Sequence, residues 1–352
     1  MFTKNALTFD TIDVCFSTDN KYAQHLGVTI ASILLNTNTQ KIINFHVLND
    51  GTLTEENIKN LKQVIKGKEN VYFNFITVNK DIFADCFMIP NSHISIATYY
   101  RFLVPSVLPS VSKLLYLDCD LIVKADIEEL FSIDLFNYYV AAVQDIIGRE
   151  NQERLNLNLE NYYCNAGVLL LNLDLMRQDN MQNKLIDTAI KNKDIIWWQD
   201  QDVINMVMDG KIKYLDLAWN FQYFYPGDYM DFDLETFNKA KNNPKIIHYI
   251  GSIKPWSSYS NRPFGKEYFK YLEFTPWKSF KYLYNLKSFF KSMCCIQKQG
   301  SYIVISVFGF RLKIKRKVFV LQNEVLRLRK MISRQDKRIN KLYEIIKLNG
   351  DM

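Results

Sequence analysis

Short apolar runs alternate with amphipathic stretches through the first part of the chain. The runs Ile12–Phe16, Ile43–Leu48 and Val71–Val78 have the length and composition of buried strands. Between them, Tyr22–Leu35 and Thr54–Ile65 have helical spacing, and the first residue of the second stretch is a candidate N-cap followed by two acidic residues. This order predicts an α/β fold with a largely parallel sheet and helices on both faces.

The pattern continues less regularly beyond this part, and we expect a few antiparallel strands there. The predicted elements are a helix at Ile96–Leu103, strands at Lys113–Leu121 and Val140–Gln144, the apolar run Gly167–Asn172, helices at Leu173–Lys191 and Gln201–Met208, and strands at Ile212–Leu217 and Lys245–Ile250. Together with the first part, they predict one mixed, Rossmann-like sheet.

The composition indicates a folded protein with a large core. Hydrophobic residues make up 48% of the 352 residues and aromatic residues 14%, whereas 12 Gly and 8 Pro are too few for a linker-rich chain. The six cysteines lack metal-ligand spacing and no secretory signal opens the sequence, which predicts a cytoplasmic location. No apolar run reaches the roughly 18 residues that span a bilayer, so we do not expect an integral membrane protein.

The C-terminal part differs in charge from the rest. Acidic residues are in excess in residues 1–277, which we predict to form the main domain, whereas Lys and Arg greatly outnumber Asp and Glu in residues 278–352. Residues 278–317 mix aromatic side chains with lysines and end in a basic cluster, as in segments that lie on an anionic membrane surface. A helix packed on the main domain is the alternative for the aromatic part of this segment.

Apolar residues recur at alternating spacings of four and three in residues 318–352. This pattern predicts a short coiled coil and hence a homo-oligomer, with a solitary amphipathic helix as the alternative. We do not expect nucleic-acid binding, because the basic residues are interleaved with this apolar seam and no recognised nucleic-acid module accompanies them.

Two carboxylates, Asp118 and Asp120, follow directly on the apolar run Leu114–Leu117. Open α/β sheets bind their ligands at such strand ends. Residues i and i+2 of an extended chain share a face, so both carboxylates could hold one divalent cation, with a diphosphate as its expected companion. The same pattern also arises in ordinary turns.

Further polar groups follow other predicted strands. Asp19 and Tyr22 could bind a nucleobase or ribose, or Asp19 could cap the following helix. Arg101 lies on a mostly apolar helix, where a guanidinium usually pairs with an acid, and its partner could be a structural carboxylate or a network of sugar hydroxyls.

The segment His248–Trp256 combines an imidazole, a glycine that permits close backbone approach and a lysine suited to phosphate. The segments Asn165–Gly167 and Gln199–Asp202 supply the amides and carboxylates of a carbohydrate site, although each could equally form a turn or a cap.

In this order and spacing, the motifs resemble glycosyltransferase family 8 over roughly residues 11–277. Bacterial lipopolysaccharide and lipooligosaccharide α-galactosyl- and α-glucosyltransferases are the most similar members. The motifs are Phe16–Asp19 with Tyr22, His93–Ser95, Tyr99 with Arg101, Tyr116–Asp120, Asn165–Leu169, Gln199–Asp202 and His248–Trp256. Lys21 and Cys119 depart from the usual family pattern, but neither replaces a ligand-bearing side chain.

The resemblance implies the A-type nucleotide-sugar glycosyltransferase fold and assigns a role to each motif. Mn²⁺ or Mg²⁺ would be held by Asp118, Asp120 and His248, with Asp118 also among the donor-binding residues. A UDP-sugar would be bound at the uridine by Asp19 and Tyr22, at the diphosphate by Gly251 and Lys254, and at the sugar by Arg101, Asn165, Ala166, Gly167, Asp200 and Gln201. The acceptor, an oligosaccharide or lipid-linked glycan, would face His93, Thr98 and Asp145.

The resemblance also implies a retaining transfer of galactose or glucose to a hydroxyl of a lipopolysaccharide-type acceptor, with Asp200 and Gln201 as the catalytic pair. An amide such as Gln201 is a poor nucleophile, so we expect a front-face substitution and no covalent sugar intermediate. The protein would act on the inner face of the cell membrane as a peripheral protein. The alternative is a non-catalytic, membrane-associated assembly protein that uses the coiled-coil tail.

Overall fold

The structure is a computed structural model that describes residues 10–89, 94–223, 232–257, 263–285, 294–299, 302–307 and 310–315. The chain divides into two compact units, residues 1–281 and 282–352. None of the described helices is both long and apolar enough to cross a bilayer.

The first five elements are those that the sequence predicts. They are β1 (Thr11–Ser17), α1 (Ala23–Asn36), β2 (Ile42–Asn49), α2 (Glu55–Val64) and β3 (Val71–Thr77). The predicted cap is confirmed, because the Thr54 hydroxyl accepts a hydrogen bond from the Asn57 amide at the start of α2. Two 3₁₀ helices follow, at Lys80–Phe83 and Ile96–Leu103.

The central part of the unit carries the chain from the first sheet into a second one. Its elements are α3 (Val104–Val107), β4 (Lys113–Leu117), β5 (Leu121–Val123), α4 (Ile127–Phe131), β6 (Val140–Gln144), α5 (Gly148–Leu155) and β7 (Cys164–Asn172). The prediction of one strand over Lys113–Leu121 is wrong, since the strand ends at Leu117. The chain turns at Asp118–Asp120 and enters the second sheet through β5.

The remaining elements of the first unit are α6 (Leu173–Gln178), α7 (Met181–Lys191), α8 (Gln199–Met208), β8 (Ile212–Tyr214), β9 (Phe221–Gln222), α9 (Leu234–Asn242), β10 (Ile246–His248) and α10 (Gly265–Leu272), with a 3₁₀ helix at Leu217–Asn220 between β8 and β9. The prediction of one helix over Leu173–Lys191 is wrong, because Asn180 takes a left-handed conformation with φ of 51°. Asparagine adopts this conformation at low cost, so the helix ends although the apolar spacing continues.

The main sheet has seven described strands in the order β3-β2-β1-β4-β7-β6-β8. All of them run parallel except β7, which is antiparallel to both β4 and β6. Apolar side chains pack on both faces, with Val14 and Phe16 of β1 in one core and Cys15 in the other. The predicted α/β architecture with helices on both faces is therefore confirmed.

A smaller sheet stands beside the main one and has the order β5-β10-β9. His248, the last residue of β10, pairs with Leu121 of β5 and with Gln222 of β9. This pairing brings the end of β10 next to the turn that follows β4. Residues far apart in the sequence therefore meet at one edge of the fold.

In the second unit, β11 (Cys294–Gln299), β12 (Tyr302–Val307) and β13 (Phe310–Lys315) form an antiparallel sheet. The predicted hairpin or strand at Tyr302–Phe310 corresponds to β12 and the start of β13. The predicted coiled coil at 318–352 lies outside the described residues, as does the end of the basic cluster.

Candidate active site

A cavity of about 370 Å³ opens where β1 and β4 end and β7 begins. Every predicted site residue that the structure describes lines it, and His93 lies outside the described residues. These lining residues are Asp19, Tyr22, Thr98, Arg101, Asp118, Asp120, Asp145, Asn165, Ala166, Gly167, Asp200, Gln201, His248, Gly251 and Lys254. The structure thus brings together motifs that the sequence places more than two hundred residues apart.

Asp118, Asp120 and His248 form a cluster at the base of the cavity. One ligand atom from each residue lies within 4.8 Å of the others. The His248 Nε2 is 3.8 Å from a carboxylate oxygen of Asp118 and 3.4 Å from one of Asp120. The other ring nitrogen, Nδ1, is 3.0 Å from the Asn220 side-chain oxygen, which orients Nε2 towards the carboxylates.

Gly167 leaves the space that this cluster needs. A Cβ atom at this position would lie 2.3 Å from His248 Cε1, 2.8 Å from His248 Nδ1 and 3.0 Å from an Asp118 carboxylate oxygen. Two carboxylates and an imidazole form a donor set that suits Mn²⁺ and, less closely, Mg²⁺. The residues present therefore fit a divalent cation.

Both aspartates of the cluster already have cationic partners. The Lys254 ammonium is 2.5 Å from Asp120 Oδ2 and also donates to the Tyr249 carbonyl. The Arg101 guanidinium is 2.8 Å from Asp118 Oδ1. Burial would raise the pKa of Asp120, but the Lys254 charge and the His248 imidazole hold that pKa well below its usual value. Asp120 is therefore ionised and available as a ligand.

Arg101 confirms the prediction that it pairs with an acid, and it has two such partners. Besides Asp118, its Nε lies 3.0 Å from Asp200 Oδ2. The same side chain donates to the carbonyls of Ala166 and Thr98, and it stacks 4.3 Å from the centre of the Tyr116 ring. Only 5% of Arg101 is exposed, so these contacts fix the guanidinium.

Asp200 lies at the start of α8 with both carboxylate oxygens engaged. Thr98 donates its hydroxyl to one oxygen and Arg101 Nε contacts the other. Burial raises the pKa of Asp200 to about 6, although Arg101 and Thr98 act to lower it.

The raised pKa of Asp200 predicts that the stability of the protein depends on pH. Because the native pKa is raised, Asp200 contributes most to stability below pH 4 and less as the pH rises through 6. In metal-free protein, the advantage of wild type over Asp200→Asn in free energy of unfolding should fall by up to about 3 kcal/mol between pH 4 and pH 7. Denaturant unfolding at the two pH values measures this change, and a difference independent of pH would contradict it.

A second polar network joins Asn165, Gln201 and Asp145. Asn165 Nδ2 and Gln201 Nε2 donate to Asp145 Oδ2 over 2.9 and 3.2 Å, and Gln201 Oε1 accepts from the Ala166 amide at 3.1 Å. Asn220 Nδ2 donates to Asn165 Oδ1 over 2.8 Å, which connects this network to His248. Burial raises the pKa of Asp145.

Asp19 and Tyr22 line the cavity where β1 ends. Asp19 Oδ1 accepts from the amides of Lys21 and Tyr22 at 2.9 and 3.1 Å, in the turn that precedes α1. The N-cap residue of α1 is Tyr22 and forms no side-chain capping hydrogen bond, so Asp19 does not cap the helix. Tyr22 contacts His25 edge to face, and His25 stacks on Trp256 with ring centres 3.7 Å apart.

Sequence reasoning missed Asn220 and His25, and it did not reveal that His25 stacks on Trp256 of the predicted His248–Trp256 segment. Asn220 follows an apolar stretch with no motif around it, so no signal in the sequence indicated its contact with His248. His25 reads as part of the buried face of α1, although an imidazole on an apolar helix is a signal for a specific partner.

Comparison with known proteins assigns the family. The model of glycosyl transferase family 8 matches residues 13–260. The chain is 30% identical over 274 residues to General stress protein A of Bacillus subtilis, covering 74% of this chain and 93% of that protein. It is also 28% identical over 284 residues to a lipopolysaccharide 1,2-glucosyltransferase of Escherichia coli K12. This match covers 78% of this chain and 81% of that protein.

Among solved structures, the galactosyltransferase LgtC in complex with donor and acceptor sugar analogues is similar, with a TM-score of 0.67 and 27% identity over 75% of this chain and 96% of that one. The main unit therefore has the mixed α/β fold of an A-type glycosyltransferase. The chain belongs to glycosyl transferase family 8.

Proposed function

We propose that this protein transfers galactose or glucose from a UDP-sugar to a hydroxyl of a lipopolysaccharide-type or related glycan, with retention at the anomeric carbon and with Mn²⁺. The observation that carries the proposal is the convergence of Asp118, Asp120 and His248 in a cavity that also contains Lys254 and Asp200. A chain that served only as an assembly factor would need neither this donor set nor the cavity.

The cation would be held by Asp118, Asp120 and His248, and it would supply positive charge to the leaving diphosphate. Lys254 adds a second positive charge at the same edge of the cavity, while Gly251, with φ of 75°, lets the backbone approach the phosphates closely. Asp19 and Tyr22 would bind the uridine. Arg101, Asn165, Ala166 and Gly167 would position the sugar.

The contacts of Asp200 and Gln201 support a front-face substitution. Asp200 is held by Thr98 and Arg101 at both oxygens, so it is better suited to fixing the sugar than to attacking it. The Gln201 amide is engaged with Asp145 and Ala166 and is a poor nucleophile. The departing phosphate would then accept the proton of the acceptor hydroxyl, which faces Thr98, Asp145 and His93.

Released UDP tests this function directly. The protein should hydrolyse UDP-galactose or UDP-glucose slowly without an acceptor, and a chelator should abolish the release while added Mn²⁺ restores it. NMR of the product should show the α-anomer, and mass spectrometry should find no sugar attached to Asp200. Absence of UDP release from any UDP-hexose, or a covalent adduct, would overturn the proposal.

Lys254 should weaken cation binding when no nucleotide is present, because its ammonium neutralises Asp120. Lys254→Met should therefore bind Mn²⁺ alone several-fold more tightly than wild type, and UDP more weakly. Isothermal titration measures both affinities. Lys245→Met, which removes an exposed partner of Glu129, is the matched control and should change neither. An unchanged or weaker affinity of the Lys254 variant for Mn²⁺ would contradict the expectation.

The basic C-terminal region is proposed to place the enzyme on the inner face of the cell membrane and to form the oligomer. Removing residues after Lys281, where the first compact unit ends, should keep UDP release on a soluble acceptor. The same deletion should abolish binding to vesicles with anionic lipids and lower the mass of the assembly in light scattering. Unchanged vesicle binding would refute the membrane role, and an unchanged mass would refute the oligomer role.

A further inference from the structure

Two consecutive tryptophans stand at the mouth of the cavity, immediately before α8. Trp198 lines the cavity and is 39% exposed, whereas Trp197 lies outside the lining and is 50% exposed. Large apolar side chains exposed next to a binding cavity usually mark a contact surface. The reaction proposed above uses neither ring.

Buried polar groups hold both tryptophans in place. Asp202, which is fully buried, accepts the backbone amides of Trp197 and Trp198 at 2.7 and 3.0 Å. Arg154 donates to both oxygens of Asp202 over 2.8 and 2.9 Å. Asn151 of α5 accepts the indole N–H of Trp198 at 3.2 Å.

The same arginine supports the Trp197 ring itself. The Arg154 guanidinium carbon lies 4.5 Å from the ring centre, and the Arg154 side chain is only 11% exposed. One face of the indole therefore packs on Arg154, while half of the residue remains exposed to a ligand. A ring fixed in this way loses little conformational entropy when a ligand covers it.

We propose that Trp197 forms an outer sugar subsite, which binds a second pyranose of an oligosaccharide acceptor while the first one occupies the cavity beside Trp198. The inference rests on the proposed function. The C–H bonds on the apolar face of a pyranose carry partial positive charge, and they pack favourably on the negatively charged face of an indole. The Trp197 and Trp198 rings both contact α5, through Arg154 and Asn151, and Trp198 lines the cavity, so the subsite adjoins the cavity.

A sugar fits this surface better than a lipid headgroup does. Tryptophans at a membrane interface present the indole N–H to the headgroups, whereas the Trp198 N–H points inward to Asn151. The cation next to the pair, Arg154, is neutralised by Asp202 and therefore gives little attraction for anionic lipid.

The experiment compares acceptor length in wild type, Trp197→Ala and Trp197→Phe. The acceptors are methyl galactosides and glucosides, and di- and trisaccharides that end in the same hexoses. In wild type we expect a KM for the longer acceptor that is about tenfold lower than for the monosaccharide. In Trp197→Ala, the KM for the longer acceptor should rise to that for the monosaccharide, with little change in kcat. Trp197→Phe keeps an aromatic ring and should retain most of the difference in KM. Phe136→Ala removes an aromatic side chain that is 78% exposed and serves as the control.

Saturation-transfer NMR with the same di- and trisaccharides, in the presence of UDP, tests the subsite without turnover. If wild type bound the short and long acceptors equally well, the subsite would be overturned. The same conclusion would follow if Trp197→Ala weakened the binding of short and long acceptors to the same extent. Weaker vesicle binding by Trp197→Ala with unchanged sugar binding would assign the surface to a membrane instead. Slow hydrolysis of the UDP-hexose without acceptor reports separately on the proposed function, because Trp197 lies outside the donor cavity.

Discussion

Asp118→Asn and Asp120→Asn should each lower sugar transfer by at least about a thousand-fold, because each removes a charged ligand from the proposed cation site, whose ion would stabilise the leaving diphosphate. Binding of Mn²⁺ should weaken in parallel. The rate of UDP release and the affinity for Mn²⁺ by titration measure the two effects. Both variants keep the size and shape of the side chain, so the fold should be preserved.

Asp187→Asn offers a matched control for this pair. Asp187 is an exposed residue of α7 that contacts only Lys191 one turn away among the described ion pairs. This variant should retain wild-type transfer and cation binding, since such a surface pair contributes little. Transfer that survives in Asp118→Asn and Asp120→Asn would show that the cluster does not hold the cation.

Arg101→Met should produce the largest loss of stability, about 3 to 5 kcal/mol in free energy of unfolding. The substitution leaves two carboxylates, those of Asp118 and Asp200, without the buried cation that compensates them. Denaturant unfolding of the metal-free protein measures the loss. Arg149→Met is the control, because Arg149 is largely exposed and forms a surface pair with Glu153.

A double variant identifies the cause of this loss. Adding Asp200→Asn to Arg101→Met removes one of the two uncompensated charges, so the combined loss should be smaller than the sum of the single losses. Additive losses would mean that the pairing of Arg101 with Asp200 does not contribute to the loss.

The sequence predicted the parts of the fold and of the cavity that follow from local patterns. Apolar runs defined β1, β2 and β3, and polar residues directly after such runs identified Asp19 and Asp118. Since strand ends meet at one edge of a sheet, these residues had to lie close together. His248 lies beside Asp118 because β10 pairs with β5 in the second sheet. No local pattern in the sequence indicated that this second sheet would form.

The residues that were missed act through tertiary contacts. Asn220 orients His248 from the end of the 3₁₀ helix before β9, and Trp197 depends on Arg154 and Asp202 for its fixed position. Such contacts join elements that are remote in sequence, and a single sequence does not reveal which pairs will meet. The break at Asn180 was missed for another reason, because a left-handed residue interrupts a helix without changing its apolar spacing.

Because β7 runs antiparallel to β4 and β6, the loop before β7 can change independently of the segments that follow β1 and β4. With β7 antiparallel to β4, the first residues of β7 adjoin Asp118, and the Asp118 amide donates to the Gly167 carbonyl. A parallel strand of this length would deliver the same residues to the far edge of the sheet, roughly 30 Å away. The loop before β7 can therefore lengthen or change sequence and alter the part of the cavity proposed to bind the sugar, while the segment after β1, which is proposed to bind the nucleotide, stays as it is.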